Sequence, residues 1–499
     1  MMRRGRAGRG AQCMDPTRRT LLQGGAALAA SALARPVSAQ PALYVRASIA
    51  TLARENSPRL ESFRRGVDAM MRLPTWDKRN WWFQASLFGA APEQIAPEMR
   101  QHAGYFNKAP RRNYFFLAWN RMYLVYFERI LRAVSGDRAL TLPYWAFDDP
   151  NDLRVPEIFM PAADELGAGA APAANVYARK NALARAVRHP AIDTRTAGLR
   201  PDLPRQIRDT LALPWFATEN RAEANLAFGG AKGAPADDRG IGGLEAIAND
   251  VHDSLGLWAG DMGLATTAAR DPLFWCHAAN IDRLWTKWLN PAAGHVPPTQ
   301  DLSWMHTAFT FVDENGQDVR IATAHALENQ HQLVYRYDDE PVRRTPYAWP
   351  QGRPAIPPPE APGTVIASAA DIRPVGGEHR APLKLAAPLS IEEARTGRFR
   401  LVVRDAAARD RASPYELALG VPGVASDRIG TLALFGGGSP TLTFAATAAV
   451  LQVARAPSFD PAALQVVVRR KGLADAGGRE VVYDDPEPPR LGAVELIRM

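Results

Sequence analysis

Phe116-Leu117-Ala118-Trp119-Asn120-Arg121-Met122-Tyr123-Leu124-Val125-Tyr126-Phe127-Glu128-Arg129-Ile130-Leu131 decides the fold. The run has no glycine or proline, and its apolar residues recur closely enough to line more than one face of a helix. A helix apolar on most sides must be buried on most sides. Two further stretches have the same character. In 244–257, Leu244, Ile247, Val251 and Leu255 fall at three- and four-residue spacing, and in 274–288 the large apolar residues are Phe274, Ile281, Leu284, Trp285 and Trp288. Buried helices that pack on one another imply a bundle.

Downstream the pattern changes. Residues 341–362 carry eight prolines, among them Pro357-Pro358-Pro359, and read as a stiff extended tether. Beyond it, 398–404, 415–421, 428–435, 442–448, 464–470 and 493–498 are short β-like runs parted by Gly, Pro, Asp and Ser. Six such runs imply a small sandwich or barrel. The expected architecture is mainly α, a helical bundle in 40–340, then a Pro-rich linker in 341–363 and a C-terminal β-sandwich in 364–499.

The net charge of +8 suggests nucleic acid, but its distribution argues against that. Arg3, Arg4, Arg6, Arg9, Arg18, Arg19 and Arg35, against the single acid Asp15, put +6 into the first forty residues and leave +2 for all the rest. Those residues read as an export signal covering 1–39. Arg18-Arg19 is a twin-arginine pair, GGAALAASALA follows, and Val37-Ser38-Ala39 offers a cleavage site before Gln40. The apolar run is shorter than the ~20 residues a membrane span needs, so no stable span is expected after cleavage. The expected location is periplasmic or secreted. Cys13 would leave with the signal, so Cys276 alone remains and no intramolecular disulfide is expected in an oxidising compartment.

Several motifs resemble those of tyrosinases and polyphenol oxidases. That family's first copper region has the form W-x-x-Q-A-x-I-H-G, then C-x-H-G-x-x-F-L-P-W-H-R-x-Y-L-x-x-F-E. Here Trp81-Trp82-Phe83-Gln84-Ala85-Ser86-Leu87-Phe88-Gly89 precedes Ala109-Pro110-Arg111-Arg112, and Phe116-Leu117-Ala118-Trp119-Asn120-Arg121-Met122-Tyr123-Leu124 leads to Phe127-Glu128. The second region, H-N-x-x-H followed by D-P-x-F-x-x-H-H-x-x-x-D-R-x-W, is similar to Ala248-Asn249-Asp250-Val251-His252 and to Asp271-Pro272-Leu273-Phe274-Trp275-Cys276-His277-Ala278, ending Asp282-Arg283-Leu284-Trp285. Tyr335-Arg336-Tyr337 matches the closing tyrosine motif, and Ile429 to Gly436 resembles the C-terminal domain of the plant-type enzymes. The resemblance covers most of the chain after residue 45.

The resemblance implies two copper ions, each held by three neutral imidazoles, with dioxygen bound between them. Carried over position by position, the six ligand sites are Phe88, Arg111, Asn120, Ala248, His252 and Ala278, and only His252 is a histidine. His277 matches the first member of the family's histidine pair, usually the ligand's neighbour. His102 is an alternative to Phe88, though it lies outside the motif. Phe274 and Asn249 match residues at the family's substrate pocket, with core packing and a helix-internal hydrogen bond as the plain alternatives. Cys276 is expected to be a buried, inert thiol, and Arg121, Asp282 and Arg283 to form ion pairs inside the bundle.

No copper pair is therefore expected, although it is the family's cofactor. The expected function is that of an exported family member with a degenerate dicopper site, unable to oxidise phenols by the usual copper route. Its partner would be a phenolic small molecule or a peptide, and not nucleic acid. The alternatives are an active phenol or o-diphenol oxidase, or changed chemistry in the retained pocket. In plant-type relatives the tail can cover the active-site entrance and is removed on activation. Here Arg343-Arg344 and Arg353 would be the exposed cleavage points.

Overall fold

The computed structural model describes residues 42–161, 176–193, 196–257, 260–349, 362–408, 413–457, 459–483 and 487–499. The export signal, Cys13 and Arg353 lie outside them. Five helices position the central cavity. α1, Pro58–Arg72, starts at the Ser57 cap with Pro58 in its first turn and buries Phe63, Val67 and Met70. α2, Trp81–Phe88, is buried along almost its whole length. α3, Phe116–Ser135, runs one turn beyond the apolar stretch that announces it, and Gly136 ends it at φ +72°. α4 spans Gly243–Gly256. α5, Pro272–Trp288, is capped by the Asp271 carboxylate, which accepts from the Leu273 amide.

The core between these helices is aromatic. Trp81, Trp119, Trp145, Trp275, Trp285 and Trp288 are among its largest fully buried side chains, each contributing roughly 1.5–3 kcal/mol through burial. Charge inside the bundle is paired. Arg46 reaches Glu128 at 2.6 Å, and Arg121 pairs with Asp282. The Tyr335 and Tyr337 hydroxyls donate to the same Asp282 at 2.5 and 2.6 Å. Arg283 pairs with Asp148 at 2.8 Å and Asp339 at 2.6 Å. The strand Tyr335–Tyr337 runs parallel to Tyr44–Arg46 and ties the end of the helical region to its beginning.

The tail contains two five-stranded sheets with a shared core. In one, Arg490–Arg498 lies between Thr364–Ile372 and Phe399–Ala407. In the other, Gln465–Arg470 lies between Tyr415–Val421 and Glu378–Pro382. The sequence reading of this region needs two corrections. The expected strand 442–448 stops at Ala445, and the alanine-rich residues after it form the helix Thr447–Ala454. The expected strand 428–435 is only Gly430–Leu432, because the chain turns there toward the helical core.

The tail is fastened to the bundle at several places. Ala474 pairs with Gly198 across an antiparallel ladder, and Asn225 exchanges two hydrogen bonds with Thr443, at 2.7 and 3.1 Å. Arg428 pairs with Asp202 at 2.8 Å. The Arg343-Arg344 cleavage point also needs correcting. Arg344 is exposed, but Arg343 is anchored. Its guanidinium donates to Glu328 at 2.9 Å and Asn329 at 2.7 Å, and its amide donates to Gln330.

Candidate functional site

Phe88, Arg111, Asn120, Ala248, His252 and Ala278 surround one cavity, together with Asn249, Phe274 and His277. Phe88 is the last residue of α2, and Asn120 sits in the second turn of α3. α4 contributes Ala248, Asn249 and His252, with Ala248 and His252 one turn apart on one face. α5 contributes Phe274, His277 and Ala278. The loop before α3 supplies Arg111. The remaining space is about 20 Å³, roughly what one water needs.

His252 is buried, and its Nδ1 lies 3.0 Å from the Met262 carbonyl. Burial, reinforced by the nearby Arg111 charge and opposed by the Met262 bond, pulls its pKa down to about 3. The ring is neutral at any physiological pH, so Nδ1 donates the proton to Met262. His277 meets it at a ring separation of 4.7 Å and stacks on Phe147. Burial, then His252, holds it well below the ordinary histidine value, and its Nδ1 has no hydrogen-bond partner.

The other positions have changed character. Phe88 packs edge-on against Phe274 at 4.8 Å. The Asn120 amide turns back along its own helix and donates to the Phe116 carbonyl at 2.9 Å. Ala248 and Ala278 are buried methyl groups. The Asn249 Nδ2 is buried without a partner. The Arg111 guanidinium lies 5.7 Å from the Phe88 ring centroid, and its Nη1 is buried without a hydrogen bond. Burial, then repulsion from Arg112, lowers its pKa, while Glu245 pulls the other way.

Two of the residues named from sequence lie off the cavity. His102 lies outside it, half-buried and edge-on to Phe83. Cys276 is fully buried, and burial, then Asp271, pushes its thiol far above its ordinary value, as an inert thiol requires.

Sequence reasoning missed Phe435. The tail turns at Leu434, whose amide donates to Asp253 at 2.8 Å. It then lays the Phe435 ring flat on His252 at a centroid distance of 4.1 Å and an interplanar angle of 8°. Gly436, Gly437 and Gly438 follow, all at positive φ. At Gly436 a β-carbon would come within 3.0 Å of the Arg111 Nη1. An aromatic residue followed by three glycines was the available signal: it marks a turn in close approach to another surface. Arg112 meets this turn by donating to the Gly437 carbonyl. Arg112 itself has φ +57°, a left-handed conformation costing a side-chain-bearing residue about 1–2 kcal/mol. The family pattern has glycine at this position. A bond from its amide to Glu245 at 2.7 Å and an ion pair of its guanidinium with Asp238 at 3.1 Å hold it there.

The helical bundle thus surrounds a histidine-bearing cavity that Phe435 of the tail closes. Comparison with known proteins gives the family. The common central domain of tyrosinase matches residues 90–291, and the polyphenol oxidase middle domain matches 299–355. Tyrosinase HcTyr1 of Hahella sp. (strain CCB-MM4) is 30% identical over 354 residues, covering 65% of this chain and 69% of that protein. The chloroplastic polyphenol oxidase of Vitis vinifera is 30% identical over 298 residues, covering 57% and 46%. The chain spans about half the length of the curated plant relatives it matches. Among solved structures, recombinant latent aurone synthase (a polyphenol oxidase) superposes with a TM-score of 0.55 at 17% identity, covering 92% of this chain and 90% of that one. Latent apple tyrosinase gives 0.52 at 18%, covering 92% and 98%. The chain belongs to the tyrosinase and polyphenol oxidase family.

Proposed function

We propose that this chain is an exported member of its family with a degenerate dicopper site, and that it does not oxidise phenols by the usual copper route. The observation that carries the reading is the donor set. Of the six positions gathered around the cavity, His252 alone offers an imidazole, and His277 adds one neighbour. Among the described residues no group of three or more His, Cys, Asp or Glu side chains is placed to hold a metal ion. The residues present do not fit a copper pair. Two alanines lack donors, Phe88 fills space, Asn120 is engaged with its own helix, and Arg111 brings a cation. Two single charges ~4 Å apart repel by about 4 kcal/mol at an effective dielectric of ~20, and a divalent ion doubles that.

Export is supported by Arg18-Arg19 and the apolar stretch after them, and among the described residues no helix is long and apolar enough to cross a membrane. The role that remains for such a protein is binding, of a phenolic or related small molecule or of a peptide.

The deciding experiment is metal analysis of the purified mature protein. After incubation with Cu(II) and removal of excess metal, mass spectrometry is expected to find well under one tightly held copper per chain, and catechol should not be oxidised. Two retained equivalents with catechol turnover would overturn the proposal in favour of the oxidase reading that the family suggests. For export, the Arg18→Lys/Arg19→Lys double variant should stay in the cytoplasm of a twin-arginine-competent host while the parent leaves it; equal export of both would reject that route.

A further inference from the structure

We infer that the surface groove beside Arg111 binds a small aromatic carboxylate. Arg111 lines two spaces, the buried cavity and a separate groove of about 780 Å³, within the size range of small-molecule sites. The other arginines of the bundle interior have carboxylates: Arg46 has Glu128, Arg121 has Asp282, Arg188 has Asp271 and Arg200 has Asp250. Arg111 has neither an ion pair nor a side-chain hydrogen bond among the described residues, and its Nη1 is buried. An uncompensated, half-buried guanidinium is costly, and an incoming anion reduces that cost.

Of the protein's own acids along the groove, two are held by cations and one by a backbone amide. Asp238 is held by Arg112 at 3.1 Å and Arg221 at 3.6 Å. Asp318 is held by Lys78 at 2.8 Å and by the Tyr105 hydroxyl. Asp237 accepts from the Ala234 amide at 2.9 Å. Lys108, exposed at the rim, has no ion pair among the described residues and adds a second available positive charge. The groove also has an aromatic wall, with Tyr105 and Phe309 half-buried and Trp119 beneath. A planar carboxylate matches the two-pronged guanidinium, and a ring attached to it packs on that wall. A neutral phenol offers the ring without the charge. The inference rests on the proposed binding role, and copper content, measured separately, shows which of the two readings has failed.

The test is calorimetric titration of 4-hydroxybenzoate, phenol and acetate into the full mature chain and into Arg111→Gln and Phe309→Ala. Saturable binding of 4-hydroxybenzoate is expected, at least tenfold tighter than phenol or acetate, at least tenfold weaker in Arg111→Gln and severalfold weaker in Phe309→Ala. Circular dichroism checks that the variants are folded. No binding to the parent chain, phenol bound within tenfold of 4-hydroxybenzoate, or full affinity in a folded Arg111→Gln would each overturn it. If Arg111→Gln does not fold, the parent's preference over phenol and acetate and the Phe309→Ala result decide.

Discussion

Replacing Phe435 by alanine tests whether the tail is part of the core or a cover resting on it. The ring is 4% exposed and stacked on His252 at 4.1 Å. Truncation removes roughly 100 Å³ of side chain, and at ~24 cal/mol per Å³ the new cavity alone costs about 2.4 kcal/mol. The lost transfer energy brings the total to about 3–5 kcal/mol, the usual range for a buried phenylalanine. An exposed cover residue would cost no more than ~0.5 kcal/mol. Urea unfolding followed by tryptophan fluorescence, compared between parent and variant at one pH, separates the two. The variant should also admit phenol or benzene into the enlarged space beside Phe274 and Ala278, an apolar void of the kind small aromatics enter, and the parent should not. A stability change below ~0.5 kcal/mol would refute the argument that the Leu434 anchor and the three-glycine turn build Phe435 into the bundle.

Two further outcomes follow from the same geometry. Burial pushes Glu245 up to about 7, against opposing bonds from the Arg112 and Gly242 amides and the charges of Arg112 and Arg111. The folded state therefore keeps this proton at pH values where the unfolded chain has released it, and stability falls as pH rises from the ordinary glutamate range near 4.5 toward 7. The loss amounts to about 3 kcal/mol. Glu245→Gln should lose this component, so the stability difference between parent and variant must change by about that much between pH 4 and pH 8; a constant difference contradicts the placement. The second outcome concerns the tether. Trypsin should cut after the exposed Arg344 and spare the anchored Arg343, and not after Arg353, which Pro354 follows, but the pieces should co-elute in gel filtration, because the Ala474–Gly198 ladder, the Asn225–Thr443 pair and Phe435 hold them together. Separation of the two fragments without denaturant would show that the tail is detachable.

The helical half was legible because burial on every side leaves a dense apolar signal. Phe116 to Leu131 and Phe274 to Trp288 read as buried helices, and they are the two that hold the Arg121–Asp282 pair. The tail was less legible. Thr364–Ile372 is a central-sheet strand built of Thr, Ala, Ser and Asp as much as of Val and Ile, so neither β-propensity nor alternation marks it. The grouping of the site positions came from the motifs, not from periodicity. What could not be read was the approach of Phe435, because a contact between positions 252 and 435 depends on how two layers far apart in sequence meet.

The five positions where histidine is expected and absent differ in how well the core has adjusted to them. Ala248 and Ala278 ask for no partner, and Phe435 packs against the same cavity. Phe88 exchanges a ligand for an aromatic contact with Phe274. Asn120 satisfies its amide on the Phe116 carbonyl. These four replacements leave nothing that needs a metal, a water or a ligand to complete it. Arg111 differs from the other four. It places a charge between a closed cavity and an open groove, and among the described residues no carboxylate is paired with it. An unpaired guanidinium costs stability there, since an apolar side chain of similar length would cost less. On the proposed reading, a guanidinium held at a stability cost at the edge of a ligand-sized groove is where an anionic ligand would bind. Arg111→Met should therefore raise the urea midpoint of the unliganded protein while abolishing its affinity for 4-hydroxybenzoate. A variant that is destabilised, or that still binds, would show that the guanidinium serves the fold and not a ligand.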